Sequence, residues 1–568
     1  MKIVIDTKKR KNVTIYILVA VLAAVVFCCI YGVNILNPGY TDWLVTGGDL
    51  SQHYLGWVAY RYSSWHFPIG LTDRLAYPAC TSVIFTDSIP LFAVVFKILS
   101  PVLPENFQYF GFWGITCFAL QGIFSARIIK RVTENRIAIV LGSLLAVIMP
   151  TVFFRLYGHE ALAGQWLIVF VLDLLFAYEI YEENHKKLYL TVAITAVLAV
   201  SIHMYFLVMC GIIVLAYCVE DIIQKKNVKQ TILILLEYCF AAIAIIFLLG
   251  GFVATGSSYE LGGLGAFSMN LNSLFNPFNQ SAILKELPLY TDAQGEGFGY
   301  LGAGVIVLGI AVLVSLIFEI DRVKSLVKSN KRIIGGLLCT GVLITIIACQ
   351  TEVTFGARLL YKFSLPAILE KLWGIFRASG RMVMVLDYVI VFSCMIYILK
   401  SYKKQYATAV FLFGMALGLQ MYDIHPVFSY LHSTYSNQKT YESPLYPSEI
   451  WDTLAQNEDI KHVIITYWLG ENQYYDIGKW ALENDFTMSS FAMVHATQQD
   501  IRENILQYLE NPTSEEIFIF SKEEQETLLE EGYPLYYYDG GDYIIGYAEE
   551  LQSTGENWSG SIIELEMY

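Results

Sequence analysis

The sequence predicts a polytopic α-helical membrane protein with about eleven transmembrane helices and a small α/β domain at its C-terminal end. Three observations carry that reading. The 568 residues are 55% hydrophobic and 15% charged, with a mean hydropathy of +0.49, well outside soluble composition. Apolar runs of bilayer-crossing length recur along the chain. Charge is also split: from Tyr422 onward 5 Lys+Arg stand against 27 Asp+Glu, whereas the residues before it hold 32 against 24.

The first element is a basic start, Lys8 to Lys11, followed by an apolar run over 13–36 with no small-residue cleavage signal, which predicts an uncleaved first helix. Further spans are expected over 107–129, 137–156, 161–181, 187–202, 204–223, 231–253, 300–319, 333–350, 381–399 and 405–421. With a cytoplasmic N-terminus every inner connection is basic, as the positive-inside rule requires: Lys130/Arg131/Arg136, Lys186/Lys187, Lys225/Lys226/Lys229, Arg322 to Arg332, and Lys400/Lys403/Lys404. The stretch from Ile89 to Leu103 is short, contains Lys97 and is flanked by Pro90 and Pro101. It reads as a re-entrant or interfacial helix on the outer side, since a full crossing would invert every later loop.

This topology divides the chain into a transmembrane domain, 1–421, with a first outer loop over 37–106, and an extracytoplasmic acidic domain, 422–568. In the latter, strand-like runs (His462 to Thr466, Ile517 to Phe520, Leu535 to Tyr547) alternate with helix-like ones, and capping boxes stand at Thr497/Asp500 and Ser521/Glu524. A net-positive membrane part suits anionic lipid, and an acidic outer part repels nucleic acid, so nucleic-acid binding is excluded. Ten cysteines, none after Tyr422, give no disulfide framework or zinc spacing, and no Walker loop supports nucleotide hydrolysis.

Chemistry concentrates in the outer loops. In the first, YTDWLVTGGDLSQHYLGW, Asp49 follows Gly47 and Gly48 just beyond the first span. It is the candidate base for an acceptor hydroxyl, or else an N-cap. Gln52, His53, Trp57 and Asp87 are candidate substrate-binding residues. Trp43, Tyr54, Trp57, Tyr60 and Trp65 supply either sugar-stacking faces or an aromatic belt, and Asp87 either binds substrate or caps the interfacial helix. The second outer turn, RLYGHEALAGQW, presents His159 and Glu160, which bind the acceptor, cap the next helix or, with Asp49, hold a divalent cation. Before the tenth span, FRASGR places Arg377 and Arg381 where positive charge is scarce. They form a clamp for a lipid phosphate, or snorkel and pair with Glu352, Glu370 and the acidic domain.

The order of these features, with the motifs GGDLSQHYLGW, YGHEALAGQW and FRASGR, resembles the GT-C superfamily of integral-membrane glycosyltransferases, in an uncharacterised bacterial branch. The resemblance implies an inverting transferase. It would move a sugar from a polyprenyl-phosphate donor to a cell-envelope glycan, lipid or protein on the outer face. Asp49 takes the family's first-loop acid position, and His159/Glu160 stands where the oligosaccharyltransferase branch carries acidic metal ligands. The competing expectations are a non-catalytic lipid-glycan binder and a component of polysaccharide export or flipping, which would need polar residues through the midplane.

Overall fold

The structure is a computed structural model that describes residues 2–225, 227–253, 264–403, 405–445, 448–466, 471–489, 505–524 and 532–551. Among these, eight helices are long and apolar enough to cross a membrane: Val13–Tyr31, Phe110–Lys130, Arg136–Arg155, His185–Ile202, Tyr205–Gln224, Val228–Leu248, Lys331–Cys349 and Ser379–Ser401. Two more candidates are bent pairs, Ala303–Phe318 with Ile320–Ser329 at 103° and Tyr406–Asp423 with His425–Tyr435 at 56°, for up to ten. The remaining expected span, 161–181, is interrupted. A 3-10 turn at Glu160–Ala163 precedes a helix of 11 residues, Trp166–Phe176, which ends at Ala177, short of the ~20 residues a crossing needs. The chain is a multi-pass membrane protein. The segment read as interfacial forms the short apolar helix Pro90–Leu99, extended by a 3-10 turn to Val102.

The chain folds as two compact units. One comprises Met1–Pro38, Tyr109–Ile245 and Leu261–Gln438; the other comprises Gly39–Gln108, Ile246–Glu260 and Lys439–Tyr568.

In the first unit, the entry to the Ala303–Phe318 helix is fixed by the end of the Tyr406–Asp423 helix. Asp423 Oδ2 accepts from the Tyr300 hydroxyl at 2.7 Å and the Ala303 N–H at 2.8 Å, and Gln420 Oε1 accepts from the Gly304 N–H at 3.0 Å. A helix start leaves its first N–H groups without intrahelical partners, and a carboxylate there satisfies them and suits the dipole. This holds the chain immediately after Glu296 in place.

The second unit joins the first-loop segment to a five-stranded sheet in the order Thr487–Met488, His462–Ile465, Glu516–Ser521, Tyr543–Tyr547, Tyr536–Asp539. The first three strands are parallel and the last two pairings antiparallel. The open edge at Met488 is covered by the first loop: Met488 N–H donates to Arg74 O and Tyr77 N–H to Met488 O, both at 2.9 Å. Leu75 thereby bridges Met488 in parallel, and the backbone groups of an exposed edge find partners. Tyr77 also stacks on His462 at 3.7 Å and packs against the core of Ile464, Phe518, Phe520 and Ile544. The expected strand Leu535 to Tyr547 is a hairpin broken at Gly540 and Gly541. At Ser521 the expected capping box is a 3-10 turn whose Glu523 N–H donates to Ser521 Oγ at 3.1 Å; the box at Thr497/Asp500 lies outside the described residues.

Candidate functional site

In the first unit, three segments distant in sequence bring charge together. Arg155 ends the Pro150–Arg155 helix, His159 lies in the turn after it, Glu296 sits in the 3-10 turn Asp292–Gly297, and Arg381 sits in the turn Ser379–Met382 that opens the Val383–Ser401 helix. The FRASGR turn is pinned locally. Ser379 Oγ donates to Phe376 O at 2.6 Å, Gly380 N–H to Phe267 O at 3.1 Å, and Ala378 N–H to the Tyr205 hydroxyl at 2.9 Å.

Glu296 is the hub. Its Oε2 accepts from Arg155 Nη1 at 2.8 Å and from Arg381 Nε at 2.7 Å, and its Oε1 accepts from Arg381 Nη2 at 3.1 Å. Arg155 Nη2 donates to the Glu296 carbonyl at 2.6 Å. Arg381 Nη2 also reaches His159 Nε2 at 2.7 Å; a guanidinium only donates, so Nε2 accepts and the ring proton of a neutral His159 sits on Nδ1. Burial alone would raise the Glu296 carboxyl, but the Arg155 and Arg381 guanidiniums hold it well below the usual carboxylate range. Two guanidiniums converge on this one carboxylate. Arg155 is 1% exposed, whereas Glu296 and His159 are 22% and 25% exposed, so the cluster opens on the side of the latter two. Fixed guanidinium forks suit an anion with paired oxygens, such as a phosphate.

Arg377 stands apart from this cluster. It is exposed, its guanidinium lies 5.6 Å from the Phe267 ring centre, and it makes no ion pair among the described residues. Lys362 pairs with Glu352 across the hairpin Glu352–Phe355/Arg358–Lys362, in keeping with the pairing alternative for this basic segment. Glu160 is fully buried, and its carbonyl accepts from the Trp113 indole at 2.6 Å. His159 Nε2 is engaged by the Arg381 guanidinium, and Glu296, 3.8 Å from it, is shared by two arginines. Among the described residues no group of three His, Cys, Asp or Glu could hold a metal ion.

In the second unit, Asp49 lies half-buried in the first turn of the helix Gly48–Tyr62. It is not the N-cap. That position is Gly47, at φ +96°, followed by Gly48 at φ +67°, and the Gly47 N–H donates to Ser51 Oγ at 2.8 Å. Left-handed backbone at two successive positions is what the Gly-Gly pair permits. Gln52 is half-buried; His53 is buried, with Nε2 3.9 Å from Asp87 Oδ2. Asp87 does not cap the Pro90–Leu99 helix either, since the N-cap is Ile89 and no side chain bonds there. Trp57 is fully buried, and its N–H donates to Phe107 O at 3.1 Å. Trp43 and Tyr60 likewise bond backbone carbonyls of their own loop. These rings pack the loop and do not face a sugar; Trp65 alone of the five is exposed, at 54%.

A family model described as a domain of unknown function, DUF6311, matches residues 20–425. The chain belongs to that family. Comparison with curated proteins gives no match. Among solved structures, the DUF6311 chain is similar to the apo form of the Archaeoglobus fulgidus oligosaccharyltransferase, at 14% identity and a TM-score of 0.52, over 95% of this chain and 75% of that one. The same archaeal enzyme in complex with an inhibitory peptide and a dolichol-phosphate gives 12% identity and 0.49, over 95% and 75%. ArnT from Cupriavidus metallidurans in the apo state gives 10% identity and 0.44, over 95% and 98%. At such identities the first likeness speaks for the fold alone: the chain shares the fold of that oligosaccharyltransferase, the GT-C-like fold expected from the sequence motifs.

Sequence reasoning had singled out His159 and Arg381, which the first unit brings together, but not the roles of Arg155 and Glu296. Arg155 was visible beside His159 and Glu160 in the second outer turn, but with no partner for its charge, and Glu296 only as a carboxylate in the Gly-rich stretch YTDAQGEGFGYLG.

Proposed function

We propose that this DUF6311 chain is a glycosyltransferase that moves a sugar, with inversion, from a polyprenyl-phosphate donor to a cell-envelope glycan, lipid or protein acceptor. The reaction takes place at the outer face of the membrane, with the N-terminus cytoplasmic and the acidic domain, 422–568, extracytoplasmic. The Arg155–Glu296–Arg381–His159 cluster carries this reading. It is a prealigned pair of guanidiniums, Arg155 buried and Arg381 part-buried, in a chain of GT-C fold, and it favours a leaving phosphate over a sugar hydroxyl. Arg381 stabilises the charge that develops on the departing phosphate, and Arg155 acts through Glu296 to hold it. Arg377, whose guanidinium donors have no partner among the described residues, meets the phosphate in the bound state. Asp49 takes the proton of the acceptor hydroxyl as it attacks the anomeric carbon. His53 and Asp87 as a pair, together with Gln52, are assigned to the acceptor.

The test is release of polyprenyl phosphate from labelled donor by the purified protein, wild type beside Arg381→Ala. Loss of 100-fold or more in kcat/KM, with the fold retained, is expected for a group acting on transition-state charge. An unchanged rate would remove the cluster from the mechanism.

A further inference from the structure

A cleft of about 480 Å³ lies within the second unit, lined by Tyr54, Val58, Tyr62, Asn106 and Leu482 together with Arg61, Glu105, Lys479, Glu483 and Asp485. That volume falls in the range of small-ligand sites, roughly 300–1,000 Å³. Its charged groups are mostly engaged with one another or with neighbouring groups. The Arg61 guanidinium donates to Ser100 Oγ at 2.9 Å, Glu105 O at 2.7 Å and Pro104 O at 2.8 Å; Lys479 pairs with Glu483, and Asp485 with Arg74. The Asn106 amide and the Glu105 carboxylate, both exposed, make no side-chain hydrogen bond among the described residues. The Tyr62 hydroxyl donates to Glu105 O at 2.9 Å, which fixes a ring that is 42% exposed.

An anchored aromatic face beside an open amide and an open carboxylate, over an apolar wall, is the chemistry that holds an uncharged sugar. The ring covers the C–H face, while amide and carboxylate take neighbouring hydroxyls. Three carboxylates against two cations, the latter both committed, disfavour an acidic ligand. Tyr54 to Tyr62 follow Asp49 on the same helix by about 8 to 20 Å at ~1.5 Å per residue.

We propose that this cleft is a subsite for neutral sugar residues of an acceptor glycan, remote from the residue that reacts. This rests on the transferase reading in taking the glycan as an acceptor, but binding tests it separately. Full-length protein in lipid nanodiscs is titrated with chitotetraose, maltotetraose and, as the acidic control, trigalacturonate, with binding followed by saturation-transfer NMR. At least one neutral probe is expected to bind and trigalacturonate is not. Tyr62→Ala and Asn106→Ala should weaken the neutral probe about tenfold, Val58→Trp should abolish it by filling the cleft, and Tyr62→Phe should retain it. Asp49→Asn should bind as the wild type does, so loss of transfer does not imply loss of the subsite. The proposal is overturned if neither neutral probe binds, if trigalacturonate binds equally, or if binding survives both Tyr62→Ala and Val58→Trp.

Discussion

Replacing Glu296 with glutamine removes the carboxylate that Arg155 and Arg381 share. In the wild type that carboxylate takes three guanidinium hydrogen bonds at 2.7 to 3.1 Å. In the variant the negative charge is gone and one of the two oxygens becomes an NH2 group facing donors, so Arg155, 1% exposed, loses its ionic partner and at best keeps a neutral acceptor beside its bond to the Glu296 carbonyl. Breaking a buried ion pair from one side costs about 3–5 kcal/mol, and the 22% exposure of Glu296 places the loss near the lower end, ~3 kcal/mol. Thermal unfolding of the detergent-purified protein should show Tm several degrees lower. Arg381→Ala should cost less, because Glu296 keeps Arg155. In the double variant the two effects should fall short of their sum by 1 kcal/mol or more, the mark of a shared interaction. Additive effects, or a Glu296→Gln protein as stable as the wild type, would refute the hub assignment.

Trp57→Phe should lower stability by about 1–2 kcal/mol through the lost bond to Phe107 O while leaving acceptor KM unchanged, measured by thermal unfolding and steady-state kinetics. Gly302→Ala should impair folding sharply, as Gly302 sits at φ +81° and an added Cβ would meet the Gln420 side chain at 1.9 Å; yield and Tm in detergent check this. His462 is held below its ordinary pKa by burial, which outweighs the opposing Glu516 and Glu515. Its contribution is therefore present above the unfolded value of ~6.5 and lost as pH falls below it. Unfolding followed from pH 8 to 5 should show that loss, and His462→Gln should reduce it.

The membrane spans were legible because eighteen or more apolar residues in a row have few alternatives to a bilayer helix. The interruptions were less so. The break at Ala177 falls inside the expected span 161–181, whereas the bends after Phe318 and Asp423 fall near the expected span ends at 319 and 421. In the C-terminal sheet, the strands at His462 and Ile517 were read from their β-branched and aromatic runs, whereas the Gly540–Gly541 turn was absorbed into one long strand. Long-range pairings were invisible. Arg155 and Glu296 are 141 residues apart, and Arg74 and Asp485 are 411 apart; a single sequence carries no signal of which charges meet. The aromatic run of the first loop left two readings open for a related reason, since Trp and Tyr that pack a loop and those that face a sugar have the same spacing.

The most direct measurement of the central claim is transfer of radiolabelled sugar from a panel of polyprenyl-phosphate donors to cell-envelope extract, with purified wild type beside Asp49→Asn of unchanged Tm. Label is expected in the acceptor for the wild type, with at least a hundredfold slower transfer for the variant and donor binding retained. Equal rates in the two proteins would remove Asp49 from the chemistry, and no transfer from any donor would contradict the transferase reading itself.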